Sequence, residues 1–131
     1  MRMKKTLLLS FFMLMMGSLM AQQKTAVIQF DQVSHDFGKF SEDKKNVTYE
    51  FKFKNTGNAP LVISRVTASC GCTTPEWTKE PVAPGKTGYV KATYNPVGRP
   101  GAFNKSITVF TNTPEKNVRL TIKGIVQPVK K

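Results

Sequence analysis

The chain has 131 residues, with 20 Lys and Arg against 8 Asp and Glu, a formal charge of +12, two cysteines and one histidine. That length leaves room for one ordinary domain and excludes a multidomain enzyme. The basic residues are scattered in runs of at most two and no aromatic motif interleaves with them. The charge therefore indicates a solvated surface, with some attraction toward anionic envelope material, and not nucleic-acid recognition.

The first 21 residues read as a secretory signal peptide. Arg2, Lys4 and Lys5 form the positive segment, Leu7 to Met16 the apolar segment, and Gly17, Ser18 and Ala21 the small residues before cleavage after Ala21. The apolar run is shorter than the ~20 residues that span a bilayer. Residues 22–131 are then the mature domain, exported to the periplasm or cell envelope, with no transmembrane segment left after cleavage. All six methionines lie in the leader. Three of the 20 basic residues leave with it, so 17 face 8 acids, for a charge of +9.

In chain order, AVIQFDQV (26–33) predicts an opening strand with Val27 and Val33 directed inward. In NVTYEFKFKN, Val47, Tyr49, Phe51 and Phe53 alternate with Thr48, Glu50, Lys52 and Lys54, the period of a half-buried strand. LVISRVTA (61–68) is β-branched and apolar. Val90, Ala92 and Tyr94 mark a strand over 87–95, Ile107 and Val109 one over 106–111, and Val118, Leu120 and Ile122 one over 118–126. Glycine and proline clusters such as Pro84-Gly85, Asn95-Pro96 and Arg99-Pro100-Gly101 separate these runs and favour reversals. No sustained helical stripe follows the leader. The pattern predicts an all-β fold, an immunoglobulin-like antiparallel β-sandwich of about seven strands. Cys70 and Cys72 are too close in sequence to bridge two sheets, so the core holds by packing, chiefly through Tyr49, Phe51, Phe53, Ile63, Val90, Tyr94, Ile107, Val109, Leu120 and Ile122.

The order HDFG, YEFKFKNTGNAPLVISRVTASCGCT, VAPGKTGYVKATYNP, ITVFTN and LTIKG resembles a family of secreted bacterial proteins, domain of unknown function 1573, common in the Bacteroidota. The resemblance covers about residues 26–126. Its most specific pieces are Asn55-Thr56-Gly57, Ser69 to Thr73, and Pro84-Gly85. The family is in turn similar to immunoglobulin-like modules of the major sperm protein and ciliary HYDIN group. The resemblance implies an interaction or scaffold domain and no catalytic activity.

Cys70 and Cys72 are the candidate disulfide or thiol pair. On an extended strand their Cα atoms stand about 6.5–7 Å apart, at the edge of the disulfide window of about 4.4–6.8 Å. A tightened backbone at Gly71 closes that gap. Thiol–disulfide catalysis needs a helix N-terminus or a cation nearby; no helix is predicted there, and Arg65 and Lys79 are the nearest cations in sequence. Structural zinc needs four ligands, and the mature chain offers two thiols and His35. Copper(I) accepts two thiolates, but the methionines that often accompany them are absent from the mature chain.

His35-Asp36-Phe37-Gly38 reads as a strand with a bend at Gly38 and Phe37 packed inward. No catalytic residue, metal site or cofactor is expected. Trp77, in the loop from Cys70 to Pro84, is the candidate binding anchor. The expected function is a non-catalytic interaction or structural module of the envelope, its partner an envelope or periplasmic protein and no nucleic acid. The alternative is a small thiol-redox or copper(I)-handling protein using Cys70 and Cys72.

Overall fold

A computed structural model describes residues 23–129; the expected signal peptide lies outside them. The elements are β1 (Ile28–Phe30), β2 (Ser34–Ser41), β3 (Val47–Asn55), β4 (Ile63–Ala68), β5 (Thr73–Trp77), β6 (Thr87–Tyr94), β7 (Gly101–Thr111) and β8 (Asn117–Gln127). They form two four-stranded sheets, β1-β3-β6-β5 and β2-β8-β7-β4, packed as an immunoglobulin-like sandwich. All pairings are antiparallel except β2 with β8, which is parallel.

The alternation in sequence becomes the alternation in burial, because successive side chains of a strand point to opposite sides of its sheet. Val47, Phe51 and Phe53 of β3 are buried and meet Leu120, Ile122, Ile107 and Val109 from the facing sheet in one core cluster. Tyr49, on the same side of β3, is half-buried against that cluster.

Four expectations are corrected. The opening strand has the opposite phase: Val27 is 42% and Val33 51% exposed, while Ala26 is buried and Ile28 and Phe30 pack against the core. The run AVI is apolar throughout and by itself does not fix a side, whereas the alternation of Ile28 and Phe30 with Gln29 and Asp31 matches the observed phase. Thr73–Trp77 is a strand and not part of a loop, which brings the sandwich of about seven strands to eight. The strand expected over 106–111 begins at Gly101. Glycine 71 does not show the conformation that only glycine tolerates: it lacks a positive φ, and a Cβ there would meet nothing within 4 Å.

The bend at Gly38 is present. Its φ is +71°, and the β2–β8 register shifts between Asp36 and Lys39. The Asp36 carboxylate accepts the Gly38 N–H at 2.8 Å.

One end of the sandwich is knotted around Asn55, which is fully buried. Its side-chain amide donates to the carbonyls of Ala59 (2.8 Å) and Val82 (2.9 Å), and its Oδ1 accepts the N–H of Gly57 (3.0 Å) and Val27 (3.4 Å). The Asn55 carbonyl accepts the N–H of Gly85 at 2.8 Å. At Gly57 a Cβ would lie 2.2 Å from the Thr25 carbonyl oxygen, so no other residue fits. Two of the three most specific sequence pieces, Asn55 to Gly57 and Pro84-Gly85, are thus one structural device: a buried polar group with every hydrogen-bonding site engaged.

Candidate functional site

The third piece, Ser69 to Thr73, sits at the opposite end. Tyr94 pairs with both Val47 and Thr73, whereas Thr87 pairs with Lys54, so β3 separates the two ends by about 27 Å. Here the chain leaves the sheet containing β4 and enters the sheet containing β5. Cys70 and Cys72 form a disulfide across this corner, with Cα atoms 5.3 Å apart. That is shorter than an extended strand allows, because residues 69–72 are a turn. The Thr73 N–H reaches the Cys70 carbonyl at 3.4 Å, and the Cys72 carbonyl accepts the Asn95 N–H at 3.0 Å. The Thr73 hydroxyl lies 3.9 Å from each sulfur. Cys72 is buried and Cys70 half-buried.

The two cations nearest in sequence both sit on aromatic rings: the Arg65 guanidinium 4.1 Å from the centre of Phe110, and the Lys79 ammonium 3.0 Å from that of Trp77. Among the described residues no three of His, Cys, Asp and Glu come together as a metal site would require. His35 is stacked on Tyr49 at 3.7 Å, in an aromatic group that includes Phe37.

Trp77 does not lie in a loop. It ends β5, pairs with Val90, and is half-buried against the core beneath Lys79. The structure therefore does not bring Trp77 together with the cysteine pair as one surface.

What the corner does expose is a strand edge. The Ser69 N–H donates to the Ser106 carbonyl at 2.9 Å, and the Ser106 N–H donates to Ser69 Oγ at 3.2 Å. These are the last contacts between the β4 line and β7. The β7–β8 register runs without a shift from Gly101 to Phe110. Backbone groups alternate sides along a strand, so those of Ala102 and Asn104 point the same way as those of Ser106, beyond the end of β4. Among the described residues they face no strand.

Neighbouring edges are guarded. In β5 the Thr78 N–H bonds to the Tyr89 carbonyl, which directs even-numbered residues to β6 and Thr73, Pro75 and Trp77 outward. Pro75 thus removes a donor from that edge. The outer edge of β2 carries the Gly38 bulge and Lys39, both devices that hinder strand addition. A second short edge, at Thr48 and Glu50, lies beyond the end of β1.

Tyr94 forms the floor behind the corner. Its ring stacks on Phe103 at 4.0 Å. Burial pushes its phenol above the ordinary value, opposed in part by Arg99. Ala102 and Asn104 were not among the expected site residues. Only the length of β7 relative to β4 reveals them, and GAFNK, with a single large apolar residue, does not announce a strand.

The fold is found in solved structures of low sequence identity. A protein of unknown function from Porphyromonas gingivalis W83 superposes with a TM-score of 0.68 at 18% identity, over 82% of this chain and 51% of that one. The chain thus spans about half of the Porphyromonas protein's length. The ASH/PapD-like domain 7 of human CEP192 gives 0.66 at 10% identity, over 86% of this chain and 94% of that one. The Escherichia coli chaperone DraB gives 0.50 at 12% identity, over 81% and 58%. No curated protein matches the sequence. The family model described as protein of unknown function (DUF1573) matches residues 28–126, nearly all of the described residues, and the chain belongs to that family.

Proposed function

We propose that this protein is a non-catalytic interaction module of the bacterial envelope, exported by its N-terminal signal, and that it captures a partner's extended segment along β7. The observation that carries this reading is the open ladder at Ala102 and Asn104, in register, directly beyond the last Ser69–Ser106 contact. Main-chain pairing at such an edge supplies affinity, and adjacent side-chain pockets supply selectivity. The disulfide turn supports this arrangement by ending β4 early and diverting the chain into the other sheet.

The test compares two substitutions at one position. Asn104→Ala keeps the backbone N–H and retains partner recovery from native envelopes after cross-linking. Asn104→Pro removes it, breaks no bond within the domain, and reduces recovery by about tenfold or more with the melting temperature unchanged. Equal recovery by the two variants contradicts the proposal.

The thiol-redox or copper(I) reading has one support, the Cys70–Cys72 bond itself. If Cys70→Ser with Cys72→Ser changes cellular thiol state or copper tolerance while partner recovery persists, that reading replaces ours.

A further inference from the structure

The two outward faces of the sandwich differ in charge. On the β1-β3-β6-β5 sheet, Lys52, Lys54 and Lys91 are interspersed with Glu50 and Glu76, and Lys91 pairs with Glu76 at 3.4 Å. On the β2-β8-β7-β4 sheet, the outward positions carry Lys39, Arg65, Arg119 and Lys123. Among the described residues the only acid on that face is Asp36, which stands opposite Lys123 and whose carboxylate accepts the Gly38 N–H. Among the described residues none of these four cations forms an ion pair.

The same face is ruled with hydroxyls. Thr67, Thr108 and Arg119 form one cross-strand row, and Ser106, Thr121 and Ser34 the next. Asn104, Lys123 and Asp36 follow in register. A shallow open depression starts at this row, lined by Asp36, Lys39, Asn104, Lys123, Gly124 and Ile125, and places two ammonium groups against the single Asp36 carboxylate around one hollow.

We propose that this face binds an acidic polysaccharide, a linear glycan bearing carboxylate or phosphate groups. Arg119 and Lys123, four residues apart on β8, are separated by about 13–14 Å along the strand and suit an extended polyanion better than one small anion. The hydroxyl rows supply donors and acceptors for glycan hydroxyls between the cations. A bilayer fits less well: among the described residues Ile125 is the only exposed large aliphatic on this face, and Phe110 lies beneath Arg65. The inference rests on the non-catalytic binding reading but uses the outward side chains of this sheet, not the backbone groups of the β7 edge.

The probe is polygalacturonate, with neutral dextran as reference and phosphatidylglycerol vesicles as the lipid arm. The wild-type protein binds polygalacturonate and not dextran, more weakly as salt rises. Arg119→Glu with Lys123→Glu weakens binding by about tenfold or more, and Lys52→Glu with Lys54→Glu, the same change in net charge on the other sheet, by less than about twofold. Arg119→Gln with Lys123→Gln reproduces the loss in part, should charge reversal unfold the domain. Equal losses from both faces, no binding to polygalacturonate, or preference for the vesicles each overturns the proposal. Arg119→Glu with Lys123→Glu leaves partner recovery along the β7 edge intact, so loss of the strand-capture reading and loss of this one are separate results.

Discussion

Ser69 and Ser106 exchange two hydrogen bonds, backbone N–H to carbonyl at 2.9 Å and backbone N–H to hydroxyl at 3.2 Å, at the point where β4 ends. Past this pair β7 continues for five residues with β8 on one side and, among the described residues, no strand on the other. Two residues on from Ser69, Gly71 separates the cysteines whose disulfide turns the chain into the other sheet.

The disulfide encloses so short a loop that it constrains the unfolded chain little. Cys70→Ser with Cys72→Ser is expected to lower stability by about 1–2 kcal/mol, with the fold kept. Thermal unfolding with and without reductant checks this, and reductant leaves the double variant's transition unmoved.

Asn55 contributes far more. Asn55→Ala strands the Ala59 and Val82 carbonyls and the Gly57 N–H, with an expected cost of about 3 kcal/mol or more in denaturant unfolding. Gly57→Ala is of similar severity because its Cβ would overlap the Thr25 backbone. Gly71→Ala, in the other glycine-centred piece, meets no atom and changes stability by less than about 0.5 kcal/mol.

Packing predictions separate a correct face from an incorrect one. Phe51 is 1% exposed, and Phe51→Ala is expected to cost about 3–5 kcal/mol. Val33 is 51% exposed, and Val33→Ala falls within about 0.5 kcal/mol. Denaturant midpoints at equal slope decide both.

These results mark what was legible in the sequence. Strict alternation in β3, β6 and β8 revealed which residues face inward, because polar neighbours fixed the phase. In the opening strand Ile28-Gln29-Phe30-Asp31 alternates in the observed phase, but Val27 and Val33 lie on the other phase and the two signals conflict; β5 hid behind Pro75, a residue tolerated only because its edge has no partner. The cysteine pair was visible as a motif. Its consequence was not, since an open edge is set by where the next strand stops rather than by the residues along it. Ala102 and Asn104 carry no mark of their own.

Tyr94 gives a pH dependence. Its phenol titrates above the ordinary value in the folded protein, so on raising pH the unfolded chain loses this proton first. The unfolded state is then favoured, and stability present at neutral pH declines as pH passes about 10. Tyr94→Phe removes that part of the alkaline decline, read as the change in unfolding free energy between pH 8 and pH 11, both about two units or less from the phenol range.

Residue-resolved amide exchange, with the protein free and then bound to its cross-link-identified partner, tests strand capture most directly. The free protein is expected to exchange rapidly at Ala102 and Asn104 and slowly at Phe103 and Lys105, whose groups face β8; the partner then slows Ala102 and Asn104 while Thr48 and Glu50 stay unchanged. Protection at Ala102 and Asn104 in the free protein, or no gain there on binding, contradicts it.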